Sequence, residues 1–104
     1  MEYEVYVLRK DEFEKFINKL DSESKSRLAR DITFLKENGL NLRMPVAKRI
    51  GKQLWELRTS GKQRVRVIYS IKGTQIYVVH WFIKKTQKIP VRDLNIAIKR
   101  LTEI

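Results

Sequence analysis

The sequence predicts an α+β fold: a small twisted antiparallel sheet with an N-terminal helical hairpin and a C-terminal helix, in the order β-α-α-β-β-β-α. Three observations predict it. The hydrophobic period changes at Gly39, from a helical repeat before it to alternating runs after it. Two short glycine-containing connections join those later runs, as antiparallel hairpins require. The length of 104 residues holds one core and not two, so positions 1–104 form a single domain.

Residues 3–8 are β-prone and supply the first strand. Asp11, with Glu14 three residues on, resembles a capping box, and Phe13, Phe16, Ile17 and Leu20 follow as one apolar stripe. Asp21 or Ser22 caps a second helix carrying Leu28, Ile32 and Leu35, which Asn38-Gly39 ends with a left-handed residue. Positions 41–53 hold Pro45, Gly51 and four bases, and read as an irregular basic loop. Strands are expected at 54–59, 64–70 and 75–83, joined by Ser60-Gly61-Lys62 and Lys72-Gly73-Thr74. Pro90 opens a last helix whose inner stripe is Val91, Leu94, Ala97, Ile98 and Leu101.

Charge points to a partner. The chain carries 23 Lys and Arg against 12 Asp and Glu, a net charge of +11. Residues 1–40 hold 8 bases and 9 acids, whereas 41–104 hold 15 bases and 3 acids. Between positions 43 and 92 the sole acid is Glu56, against 13 bases. A one-sided field of this kind attracts a polyanion, and RNA and DNA are the commonest. A solubilising surface, or an acidic protein partner, is the plainer alternative.

Other classes are excluded by composition. There are no cysteines and one histidine, so thiolate zinc, a cysteine nucleophile and a transition-metal cluster are ruled out, and no cofactor is expected. No GxGxxG, Walker loop or GxSxG elbow occurs. No apolar run approaches the roughly 20 residues of a membrane span, so no membrane partner is expected. The first residues lack a basic flank with an apolar stretch, and a cytoplasmic location is expected.

Three blocks are candidates for chemistry. In Arg64-Val65-Arg66-Val67-Ile68-Tyr69, strand alternation puts Arg64, Arg66 and Ile68 on one face and Val65, Val67 and Tyr69 on the other. Arg66 there is either paired with Glu56 or presented to a phosphate. The block from His80 to Lys88 places Lys84, Lys85 and Lys88 just past a strand end; Trp81 and Tyr69 are candidates to stack on bases, and His80 reads first as a hydrogen-bonded core histidine. The block from Lys48 to Arg58 leads Lys48, Arg49 and Lys52 into a strand with Glu56 and Arg58 on one face, suited to a phosphate backbone or to plain solvation.

Taken together, Leu54-Trp55-Glu56-Leu57-Arg58, then Arg66-Val67-Ile68-Tyr69, then the run from Val78 through Lys84-Lys85-Thr86-Gln87-Lys88-Ile89-Pro90, resemble the RelE/ParE toxin superfamily. The likeness covers about residues 54–98 and is nearest to the HigB-like, phage-derived-protein branch of type II toxin–antitoxin systems. The resemblance implies a compact toxin that enters the ribosomal A site and cuts messenger RNA by attack of a ribose 2′-hydroxyl on the adjacent phosphate, with basic side chains in place of a metal. It implies that Arg66 contacts the scissile phosphate, that Lys85, beside Lys84, is a second cation, and that Lys52 supplies a further one. It also implies a small antitoxin, of helix-turn-helix type, as partner, with the ribosome and messenger RNA.

The chain departs from that pattern in having no Tyr or His after Lys85. Acid–base work then falls to Tyr69, to His80, or to a lysine whose pKa is drawn down by like charges. The departure leaves two alternatives open: a ParE-like inhibitor of DNA gyrase without nuclease activity, and a noncatalytic RNA-binding domain.

Overall fold

The computed structural model describes residues 2–104. Its elements are β1 (Glu4–Val7), α1 (Lys10–Asn18), α2 (Ser22–Asn38), a 3-10 turn (Gly39–Asn41), β2 (Ala47–Gly51), β3 (Leu54–Arg58), β4 (Val65–Lys72), β5 (Gln75–Ile83) and α3 (Val91–Leu101). The α+β class, the helical pair and the terminal helix are as the sequence predicts. The sheet has five strands in the order β1-β5-β4-β3-β2 and is mixed.

Two departures from the expected sheet have physical reasons. The basic stretch read as a loop contains β2, which pairs antiparallel with β3 and carries a register shift between Arg49 and Gly51. A short, charged, bulged strand is how a sheet edge is protected, and such a strand lacks the alternation by which strands are recognised. The first strand joins β5 in parallel, Val5 opposite Ile76 and Val7 opposite Val78. That pairing is invisible to local patterning because some seventy residues lie between the partners.

Alternation along the strands then sorts two cores. On one face Leu57, Val65, Val67, Tyr69 and Trp81 meet Phe13 of α1 and Leu28 and Leu35 of α2. On the other, Leu54, Ile68, Val79 and Phe82 meet Ala97 of α3. The expected split of β4 into a Val65/Val67/Tyr69 face and an Arg64/Arg66/Ile68 face is therefore realised. The stripe of α3 is rotated from its expected position: Val91 and Ile98 are exposed, and Leu94 and Leu101 flank the buried Ala97.

Helix ends follow local chemistry. Asp21 caps α2, its Oδ1 accepting from the Ser24 amide at 2.7 Å. At α1 no capping box forms; the helix begins one residue before Asp11, after Arg9 in a left-handed conformation with φ 56° and no side-chain cap. Asp11 and Glu12 instead lie in the first turn, where the helix dipole favours them. Gly39 ends α2 with φ 50°, and the ring of Tyr3 fills the space a Cβ would need. A glycine is required there on both counts.

Candidate nucleic-acid interface

The site grows from the two edge-side hairpins. Period-2 geometry places Glu56 and Arg58 on the α3 face of β3, and the ladder sets Lys48 opposite Glu56 and Arg66 opposite Arg58. Beyond Leu54 and Ile68, which cluster with Ala97 of α3, this face turns from apolar to cationic. The segment after β5 folds back alongside, bringing Lys84, Gln87 and Lys88 against the same face.

Two adjoining cavities result. One, of about 280 Å³, is lined by Arg58, Arg64 and Arg66 with Pro45 and residues 59–61 of the hairpin turn. The other, of about 380 Å³, is lined by Lys48, Arg49, Arg58, Lys84 and Lys88, with Glu56 and the apolar Ile50 and Ile89. Arg58 lines both, so they form one two-part cleft.

At its floor lies a buried charge cluster. Glu56, 2% exposed, sits between two guanidiniums, Oε1 at 3.7 Å from Arg58 Nε and Oε2 at 3.9 Å from Arg66 Nε. Both distances permit charge attraction and exceed a hydrogen bond. Arg66 is held instead by its Nη1, which donates to the carbonyls of Thr59 at 3.2 Å and Val65 at 3.0 Å. Burial lowers the guanidinium's pKa from its ordinary value, with Glu56 opposing and Arg58 and Arg64 adding to the effect. Arginine's intrinsic basicity keeps it charged regardless.

Four buried side-chain polar atoms lack a partner among the described residues: Ser24 Oγ, Glu56 Oε2, Thr59 Oγ1 and Arg66 Nε. Three of these are in this cluster. Leaving such a group unmet costs about 1–3 kcal/mol, more for a charged one. Glu56 Oε2 and Arg66 Nε face one another at 3.9 Å, so each charge offsets part of the other's burial.

The sequence candidates distribute unevenly. Arg58, Arg64 and Arg66 line the first cavity; Lys48, Arg49, Lys84 and Lys88 line the second. The Arg49 guanidinium also lies 5.6 Å over the Trp55 ring. Lys85 and Lys52 are exposed and line neither cavity, Lys52 standing at the β2–β3 turn. Tyr69 and Trp81 belong to the core rather than to the cleft: Tyr69 stacks on Trp55 at 6.2 Å, and Trp81 packs on Phe13 at 4.7 Å with Arg100 at 5.7 Å over its ring. Burial pushes the Tyr69 phenol far above its ordinary pKa. Tyr69 presents no free face to a base, and Trp81 lines a different cavity, with His80 and Arg100, away from the cationic cleft.

His80 is a hydrogen-bonded inner histidine, as its strand context indicates. A bulge in β5 opposite Ile68 and Tyr69 turns it toward α3, where Nε2 meets Asp93 Oδ1 at 2.8 Å. It lines a separate cavity of about 520 Å³ with Lys15, Lys19 and Arg100, and no residue of the cationic cleft takes part. Thr59, Gln87 and Ile89 are lining residues that sequence reasoning missed; polar and apolar loop positions carry no charge signal. Glu56 did carry one, as the lone acid of a basic stretch.

Among the described residues, no three His, Cys, Asp or Glu side chains gather as a metal site. No helix is long and apolar enough to cross a membrane.

Fold and site thus define a small α+β domain with a two-part arginine–lysine cleft at one edge of its sheet. Residues 15–102 match the model of the phage-derived Gp49-like protein family, and the chain belongs to that family, one of toxin–antitoxin toxins. No curated protein matches the chain.

Proposed function

We propose that this chain is the toxin of a type II toxin–antitoxin pair, a cytoplasmic, ribosome-dependent endoribonuclease that cleaves messenger RNA by 2′-hydroxyl attack. The observation that carries the reading is the two-part cleft, in which four arginines and three lysines converge around a buried, incompletely satisfied polar floor. Phosphate contacts of this kind dominate RNA affinity. Family membership supports the toxin reading and an antitoxin partner.

In the proposed reaction Arg66 is the preorganised donor, its guanidinium held by two carbonyls and turned to the first cavity. It meets the charge that develops on the scissile phosphate, with Arg58 and Arg64 beside it. Lys84, with Lys48, Arg49 and Lys88, holds the message in the second cavity. Lys85 and Lys52 act from exposed positions, on the ribosome or on flanking phosphates. A helix-turn-helix antitoxin with acidic segments neutralises the cationic face.

Brief induction of the chain without its partner tests this. Translation-dependent cuts within coding messages, with 5′-hydroxyl ends and 2′,3′-cyclic or 3′-phosphate ends, are expected. Intact messages beside trapped gyrase–DNA complexes would replace this reading with the ParE-like one. RNA binding without cleavage or growth arrest would leave only a binding domain.

A further inference from the structure

The cleft contains one acid, and nothing yet described takes a proton from the attacking hydroxyl. Tyr69 and His80 lie outside the cleft, and its lysines and arginines are cations in their ordinary state. We propose that Glu56 is the general base of this site, its carboxylate accepting the proton of the ribose 2′-hydroxyl. The proposal rests on the nuclease reading above.

The two cavities give the carboxylate its place in a substrate. The first is lined by three arginines and no acid, and suits the scissile phosphate. The second has Glu56 at its floor, which repels a phosphate and accepts from a hydroxyl, so it suits the ribose on the 5′ side. Arg58 lines both and spans the link between sugar and phosphate. Glu56 lines the second cavity, and its two guanidinium neighbours stand at 3.7 and 3.9 Å, beyond hydrogen-bond reach. Oε2 is fully buried against Arg66, so Oε1, on the side of Arg58, is the oxygen that meets a 2′-hydroxyl. Catalytic hydrogen bonds commonly form only when substrate arrives.

The 2′-hydroxyl proton passes to Glu56 while the 2′-oxygen forms a bond to phosphorus. The phosphorus–5′-oxygen bond opposite it breaks, and the departing 5′-oxygen takes a proton from solvent water. A 2′,3′-cyclic phosphate and a 5′-hydroxyl result, and Glu56 returns its proton to solvent. In-line displacement puts the leaving oxygen on the first-cavity side, away from Glu56, so one carboxylate is not asked to serve both ends.

Glu56→Gln is the test, on ribosomes programmed with a defined message. Single-turnover cleavage should fall roughly 10²–10⁴-fold, the usual worth of a positioned base. Binding of a message carrying a 2′-deoxy nucleotide at the mapped cut should be unchanged or tighter, since a negative charge is gone from the cleft. A merely structural carboxylate that orients Arg58 and Arg66 would weaken binding and cleavage together, and that outcome overturns the proposal. The groups facing Glu56 are Arg58 on its own strand, Arg66 on β4, Lys48 on β2, and Lys84 and Lys88 after β5. Glu56→Asp keeps the carboxylate charge and withdraws it by one methylene; it should cut more slowly than the wild-type protein and faster than Glu56→Gln, and full activity in it would overturn the proposal. Wild-type cleavage with an equally fast, folded Glu56→Gln protein would overturn the base alone. A wild-type protein that leaves the message uncut would overturn the nuclease reading and this inference with it.

Discussion

Replacing Arg66 by lysine separates the shape of the guanidinium from its charge. In the wild-type protein Nη1 donates to two backbone carbonyls, at 3.2 and 3.0 Å, which turns the rest of the fork toward the first cavity. A lysine keeps a positive charge near Glu56 and cannot reproduce either the pair of bonds or a bidentate grip on phosphate. Loss of one preorganised donor to transition-state charge costs about 3–4 kcal/mol, or roughly 10²–10³ in rate. Arg66→Ala is a poorer probe. It leaves Glu56, 2% exposed, short of a partner, and breaking a buried pair costs about 3–5 kcal/mol. That is a large part of the roughly 5–15 kcal/mol that holds a domain together. Toxicity should vanish in Arg66→Ala for two reasons at once. The informative assay is single-turnover cleavage on programmed ribosomes, run beside urea unfolding. Arg66→Lys is expected to unfold cooperatively and to cut about 10²–10³-fold more slowly. A folded Arg66→Lys protein that cuts within about threefold of wild type would refute the assignment of the fork to the phosphate.

Other predictions address the surface, the fold and pH. Lys84→Ala with Lys88→Ala should lower the slope of log affinity against log salt by about 1.4 for single-stranded RNA, at about 0.7 per phosphate contact. Lys72→Ala, at the far end of β4, should leave that slope alone, and equal slopes in both variants would remove Lys84 and Lys88 from the proposed interface. Gly39→Ala places a methyl group into the Tyr3 ring at φ 50°; the backbone strain alone costs about 1–3 kcal/mol, readable as a lower urea midpoint. Burial holds the His80 pKa below its ordinary value, with the Asp93 bond acting in opposition. The unfolded chain therefore binds that proton more readily, and stability should decline as pH falls below about 6.5. His80→Gln should flatten this segment in urea unfolding between pH 5 and 7.5; an unaltered slope would show that other groups set it.

Much of the site was legible because period 2 is a local property. Glu56 with Arg58, and Arg64 with Arg66, had to share faces once β3 and β4 were recognised, and alternation on β4 sent Val65, Val67 and Tyr69 to the core. The same rule covers Trp81, opposite Val67 in the ladder. Its placement in the core was open to inference, although its aromatic ring also made it a candidate to stack on a base. The resemblance carried Arg66 and the Lys84–Lys85 pair, but not which lysine faces the cleft. Adjacent residues past a strand end diverge according to how the following segment packs.

By itself the sequence determined the class of fold, the caps at Asp21 and Gly39, the positive sign of the cleft and the side of β4 that lines it. Each follows from residues within a few positions of one another, where backbone conformation and alternation leave little choice. Tertiary structure decided what depends on distant segments meeting: the parallel union of β1 with β5, the recruitment of the basic stretch as edge strand β2, and the turn of α3 that exposes Val91 and Ile98. It also decided that Glu56 lies between Arg58 and Arg66 with an oxygen left unbonded, because hydrogen-bond satisfaction is settled to within a few tenths of an ångström by the packing of three strands.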